Sequence, residues 1–264
     1  MATVERLSVY PVKGLDGIDV DRTDILEGGT FRYDREFALF DTDGEVLNGK
    51  RTEAVHDLTT GFDPKAGLFE VETEAGERRQ FDLGDASEPA EEWFSDYFSV
   101  ELELRRDASL GFVDRREMGP SVISTATLET VASWFDEISV DSMRRRLRAN
   151  IELGGVPAFW EDHLFADRDH RIRFSIGDTS FVGVNPCQRC VVPTRDPDTG
   201  EEYPEFQSIF VENRRKTMPA WSGGDWFDHD FRLMVNTVVP QSSWGETIAV
   251  GDRVVVGDRV AVDE

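Results

Sequence analysis

Residues 69–97, FEVETEAGERRQFDLGDASEPAEEWFSDY, change periodicity midway, and that change sets the fold class. Phe69, Val71 and Thr73 alternate with charged residues, the period of two that lays one strand face on a core. Ala75-Gly76 supplies a turn, and Phe81 and Leu83 mark the returning strand. Ser87 then suits a helix N-cap, and Ala90, Trp93, Phe94 and Tyr97 fall at i, i+3, i+4 and i+7. Strands and a helix thus follow one another within thirty residues.

Outward from this segment the strand pattern dominates. Leu7 and Val9 alternate with Ser8 and Tyr10, Phe37 and Leu39 recur at the same spacing, and Asp41-Thr42-Asp43-Gly44 is a turn leading to Val46 and Leu47 in a hairpin. A strand follows over residues 100–104. Ser124 or Thr125 caps a helix whose apolar face is Leu128, Val131, Ala132 and Phe135. Strands return at Ala149, Ile151 and Leu153, at Ile172, Phe174 and Ile176, and around Phe181. Val250-Gly251-Asp252 and Val256-Gly257-Asp258 read as short strands joined by Gly-Asp turns. The pattern predicts an α+β, β-rich protein built on one or two barrels, with a division inside the charged Asp107 to Pro120 stretch.

The 264 residues carry 29 basic and 53 acidic side chains, a net charge of −24. A field of that sign repels nucleic-acid phosphates and anionic lipid, so neither is an expected partner. Only Lys13, Lys50, Lys65 and Lys216 are lysine, and an acidic, lysine-poor surface suits concentrated salt, which screens self-repulsion. A halophilic source is expected. Nothing approaches the roughly 18 apolar residues of a membrane span. The start of the chain lacks the features of a secretion signal, and two cysteines make no disulfide framework, so a reducing cytoplasm is the expected location.

Both cysteines lie in Asn185-Pro186-Cys187-Gln188-Arg189-Cys190. A structural zinc site would need His163 and His170 to complete it, at a spacing that fits no common zinc pattern. A thioredoxin-type dithiol wants the pair at a helix start, whereas this pair follows a strand. Two small core residues are a third reading. The fourth is a single thiolate ligand for a soft metal centre, with Arg189 stabilising the Cys190 thiolate and Pro186 fixing the loop. Spacing alone does not choose among them. Asp196-Pro197-Asp198-Thr199-Gly200 has the residues of a tight turn and puts Cys190 at the start of a hairpin.

Arg144-Arg145-Arg146-Leu147-Arg148-Ala149-Asn150 is basic against the trend of the chain. Such a run either pairs with nearby carboxylates, the commoner use, or grips an anionic ligand. Lys13 and Arg35 are further basic residues at strand ends.

Taken together, Tyr10-Pro11-Val12-Lys13-Gly14, Asp34-Arg35-Glu36-Phe37, Leu147-Arg148-Ala149-Asn150-Ile151, Cys187-Gln188-Arg189-Cys190, Asp196-Pro197-Asp198-Thr199-Gly200 and the closing Ile248 to Val254 stretch resemble the MOSC family with its N-terminal β-barrel domain. That group includes the mitochondrial amidoxime-reducing component. The resemblance implies an N-terminal MOSC β-barrel domain over residues 1–112 and a MOSC-type β-barrel with a few helices over 113–264. It implies a pterin molybdenum cofactor between the two, Cys190 as metal ligand and catalytic thiolate, and Cys187 as a packing neighbour. Lys13, Arg35 and Arg148 match positions that grip the cofactor's phosphate and pterin end, with Asn150 and Arg189 as further candidates. The implied activity is oxygen-atom transfer from a small N-hydroxylated or N-oxide compound. The clustered cysteines of the iron–sulfur domain in some relatives do not occur here, so a separate electron-donor protein is expected. The second implied reading is a carrier of cofactor or sulfur, with a persulfide on Cys190. Trp221 to Trp226 matches no feature of the family pattern.

Overall fold

A computed structural model describes residues 1–84, 87–222 and 227–262. In chain order its strands are β1 (Thr3–Val9), β2 (Ile18–Val20), β3 (Arg22–Asp24), β4 (Phe37–Asp41), β5 (Leu58–Asp63), β6 (Leu68–Thr73), β7 (Arg78–Asp82), β8 (Leu102–Arg106), β9 (Ser121–Ser124), β10 (Ile151–Gly154), β11 (His170–Ile176), β12 (Thr179–Gln188), β13 (Arg232–Val238), β14 (Thr247–Ala249) and β15 (Val254–Ala261). The α-helices are α1 (Glu88–Phe98), α2 (Thr125–Ala132), α3 (Val140–Leu147) and α4 (Phe206–Thr217). The fold is α+β and strand-rich, as expected.

The largest sheet has eight strands in the order β15-β11-β12-β13-β9-β10-β1-β2, with β9 and β10 parallel and every other pair antiparallel. Among the described residues β2 and β15 end the strand order, while Val254 N donates to Ala2 O at 2.9 Å and bridges the start of β15 to the start of β1. Smaller sheets are β5-β6-β7, β4-β8 and β14-β3. The period-2 segment 69–83 becomes β6 and β7, with Phe69 opposite Phe81. The Asp41–Glu45 turn closes as expected, Asp41 N donating to Glu45 O at 3.0 Å, while β4 finds its long partner in β8.

Helix starts follow their caps. Ser124 Oγ accepts from Thr127 N at 3.2 Å at the start of α2. Ser87 occupies the N-cap of α1 but makes no side-chain cap bond; Pro89, in the first turn, pre-sets the helical φ there. The expected second Gly-Asp turn at Gly257-Asp258 is absent. β15 runs straight through those residues, which form an irregularity between the pairs Ile172↔Arg259 and Phe174↔Val256.

Three apolar cores result. One joins Val4, Leu7 and Val9 of β1 to Val122, Ile151, Leu153, Phe181 and Val235 from the other half of the chain. A second, from Val12 to Leu104, sits under β4 to β8 and α1. The third packs Leu128, Met143, Leu147, Phe206 and Phe210 of α2, α3 and α4 against Leu233 and Met234 of β13. Thus β1 to β3 hydrogen-bond into β10 and β14, from beyond residue 113. Of the Trp221 to Trp226 segment, residues 223–226 lie outside the described residues; the Trp221 ring meets Phe165 edge-on at 4.8 Å. No described helix is long and apolar enough to cross a membrane.

Candidate functional site

β1 ends where the chain turns through Tyr10-Pro11-Val12-Lys13-Gly14, held to β4 by Lys13 N donating to Phe37 O at 2.8 Å. Gly14 has φ +93°, and a Cβ there would lie 2.9 Å from Leu47 O, so only glycine turns the chain in this space. Lys13 Nζ pairs with Asp114 Oδ1 at 2.6 Å. Burial opposes charge on Asp114, but Lys13, with help from Lys50 and Arg35, holds its carboxyl below the ordinary range.

Arg35 is a left-handed non-glycine residue, φ 57°, fixed by its N–H donating to Tyr10 O at 2.7 Å and by Phe112 N donating back to Arg35 O at 2.7 Å. Gly111 makes that approach possible: a Cβ on it would lie 2.5 Å from Asp34 O. Asp34 Oδ1 accepts from Tyr10 N at 3.0 Å, and its other oxygen takes the Arg35 guanidinium.

Arg148 is also left-handed, φ 56°, as the C-cap of α3. Its guanidinium carbon stands 4.1 Å from the Tyr10 ring centroid and that of Arg35 stands 4.9 Å from it. One buried aromatic ring therefore carries two cations, at a strength of about 0.5–2 kcal/mol each. Burial pushes the Tyr10 hydroxyl up to about 12 despite both arginines, so the ring stays neutral. Burial and Arg35 depress Arg148, and Arg148 makes no ion pair with any described carboxylate.

The rest of the basic run is committed to carboxylates, as the commoner use predicted. Arg144 grips Glu152 through two bonds at 2.7 and 3.0 Å. Arg145 meets Asp16 at 3.0 Å and also Asp198. Arg146 is buried, donating to Pro193 O at 3.2 Å, to Arg195 O, and to Asp196 at 2.9 Å. Arg145 and Arg146 thereby tie α3 to the loop that follows Cys190.

That loop starts where β12 ends. Cys187, on β12, is half-buried and packs on the third core; Cys190 is exposed. Residues 192–194 form a single 3₁₀ turn, and the expected hairpin reduces to one bridge, Arg195↔Glu202, closed by an Asx turn at Asp196. Arg189 differs from expectation. Its guanidinium touches Cys187 Sγ at 3.3 Å and Leu147 O at 3.0 Å rather than Cys190. The reason is chain direction: extended backbone sends successive side chains to opposite faces, so Arg189 shares a face with Cys187. Its Nε is buried with no partner. Asn150 spends its amide on the frame, Nδ2 donating to Ser8 O at 3.2 Å and Oδ1 accepting from Ser121 N at 3.2 Å.

Lys13, Arg35, Arg148, Asn150, Arg189 and Cys190 all line one cavity of about 370 Å³. Its wall also holds Lys50, His56, Arg115 and Arg195, which the sequence reading did not single out. Lysine and arginine in loops carry no periodic signal; only their contrast with the −24 background could have flagged them. Burial, then Arg195, pushes the His56 imidazole below its ordinary value, which keeps it neutral. Among the described residues no three His, Cys, Asp or Glu side chains gather as a metal cluster, so nothing completes a zinc site around the cysteines.

The chain is 24% identical over 239 residues to a Caenorhabditis briggsae protein named molybdenum cofactor sulfurase, a match covering 82% of this chain and 32% of that protein. It is 26% identical over 233 residues to a Drosophila yakuba protein of the same name, covering 76% of this chain and 28% of the relative. The chain thus spans about a third of the length of the curated relatives it matches. Residues 1–93 match the model of the MOSC N-terminal beta barrel domain and residues 118–255 that of the MOSC domain. With both matches in sequence order over most of its length, this chain belongs to the MOSC family.

Proposed function

We propose that this chain binds a pterin molybdenum cofactor in the cavity, with Cys190 as the metal's thiolate ligand, and uses it to reduce small N-hydroxylated or N-oxide compounds. The observation that carries the reading is convergence: cationic groups from the turn after β1, the loop before β4 and the end of α3 share one cavity with an exposed thiol. Membership of the family and the names of the relatives support a molybdenum-cofactor role more broadly.

The residues present suit such a ligand. Arg148 is an unpaired guanidinium backed by an aromatic ring, and the buried Arg189 Nε still has a hydrogen to donate. Soft thiolate suits molybdenum, and a cavity of about 370 Å³ falls in the range of cofactor pockets. Bound there, the cofactor would supply two-electron oxygen-atom exchange. Lys13, Arg35 and Arg148 hold its anionic end, while Asn150 serves by fixing β1 against β9 and β10. Left-handed backbone at Arg35 and Arg148 aims both guanidiniums before any ligand arrives, which lowers the cost of ordering them. In the overall reaction the N–O bond breaks, two electrons come from a separate donor protein, two protons come from solvent, and oxygen leaves as water.

The test is reduction of a hydroxylamine or amidoxime by cofactor-loaded protein with an artificial electron donor. Turnover that disappears in Cys190→Ala supports the reductase. A second reading is favoured by the exposure of Cys190 and the relatives' name: a carrier that holds sulfur as a persulfide. Intact mass spectrometry then shows one extra sulfur on Cys190, with no turnover.

A further inference from the structure

The cavity wall carries more positive charge than the cofactor's anionic end requires. Nine cations line it against Asp16, Asp34 and Asp114. Five of these cations already hold a carboxylate: Lys13, Arg35, Arg145, Arg146 and Arg195. Arg148 and Arg189 belong to the inner set discussed above. Lys50 and Arg115 are left over, exposed, and without a carboxylate partner among the described residues.

These two come from different loops. Lys50 follows the β4 hairpin; Arg115 lies in the connection between β8 and β9. Both line the same cavity, and Asp114 lies on its wall. Asp114 is next to Arg115 in the chain, pairs with Lys13, and is close enough to Lys50 to feel its charge. Lys50 is exposed, which puts it on the solvent side of the cavity, and it also lines a second hollow that shares Gly49 and Arg195 with the first. Asp114 is thus a carboxylate near both Lys13 and Lys50, and with Arg115 lining the same cavity the wall holds a local surplus of positive charge inside a chain of −24. A mouth of that sign attracts and orients small anions, and the acidic surface around it offers them nothing else to bind.

We propose that Lys50 and Arg115 form a carboxylate-recognition site at the mouth of the cavity, so that the small molecule taken up bears an acidic group at the end remote from its reacting N–O group. The anion part stands on Lys50, Arg115 and Asp114 alone; the N–O part rests on the reductase reading. Lys50 and Arg115 contact the acid group in solvent-accessible positions, which suits recognition of a ligand that enters and leaves.

The experiment compares cofactor-loaded wild type, Lys50→Glu/Arg115→Glu, Lys50→Gln/Arg115→Gln and a Lys65→Glu control at one fixed salt concentration. Benzoate binding is followed by titration calorimetry, and reduction of benzamidoxime is compared with 4-carboxybenzamidoxime. Wild type and Lys65→Glu bind benzoate and prefer the carboxylated substrate in kcat/KM. Both double variants weaken benzoate by about tenfold or more, the scale of losing charge-assisted hydrogen bonds, and the substrate preference collapses. If neither amidoxime is reduced while benzoate binding still depends on the pair, the reductase reading fails and the anion site stands. Benzoate binding that is equal in all four proteins overturns the proposal. So does a loss of molybdenum from the double variants in step with benzoate, which assigns the pair to the cofactor's own phosphate.

Discussion

Glu161 is buried, accepts from Thr127 Oγ1 at 3.0 Å through one oxygen, and leaves its other oxygen without a partner. Burial, with Asp162 beside it, pushes its carboxyl from 4.5 up to about 7. An acid whose folded value is raised binds more protons folded than unfolded between those limits. Its contribution is therefore complete below about 4.5 and is lost as pH rises through about 7. We expect stability to fall by about 3 kcal/mol over that window relative to Glu161→Gln, in which the slope flattens. Urea unfolding at a series of pH values reads this directly, and parallel slopes in the two proteins contradict it. Burial raises the Asp162 carboxyl as well, although Arg214 holds it through two bonds at 2.8 and 2.9 Å, so part of the slope remains in Glu161→Gln.

At the scale of elements, α3 and the loop after Cys190 act as one unit through Arg146. Removing this buried guanidinium strands two carbonyls and frees one oxygen of the Asp196 carboxylate. Arg146→Ala should cost about 3–5 kcal/mol and speed amide exchange in residues 191–200 well above that of β12. Unchanged exchange there, measured by mass spectrometry, counts against the coupling. The same scale shows what the sequence could and could not disclose. β6 was legible in its alternation, β1 in Leu7 and Val9, β4 and β7 in the turns beside them, and α2 in its Ser124 cap. β13 was not, because Arg232–Val238 is buried on nearly every side and so does not alternate. Gly257-Asp258 misled because glycine and aspartate favour a bulge as well as a turn. For the site, Lys13, Arg35, Arg148 and Cys190 were identifiable only through resemblance. Their convergence depends on left-handed backbone at Arg35 and Arg148, which no residue pattern announces.

For the whole molecule, a charge of −24 is a repulsive load that salt relieves. The unfolding midpoint should climb steadily from about 0.1 M to about 3 M KCl, far past the range where ordinary surface pairs are screened. A midpoint that is flat or falling across that range, by calorimetry, contradicts the halophilic expectation. The interwoven cores carry a further consequence. Since β1 to β3 pair with β10 and β14, both halves contribute walls to the cavity, and its shape depends on the assembled chain.

One sulfur atom, Cys190 Sγ, decides whether the cavity holds the metal. Wild type, Cys187→Ala and Cys190→Ala, produced in a host that makes the cofactor, should be assayed together for molybdenum and pterin per chain. About one molybdenum per chain in wild type and Cys187→Ala, with loss in Cys190→Ala, is the predicted result for a single-thiolate site. Equal molybdenum in Cys190→Ala and wild type contradicts it.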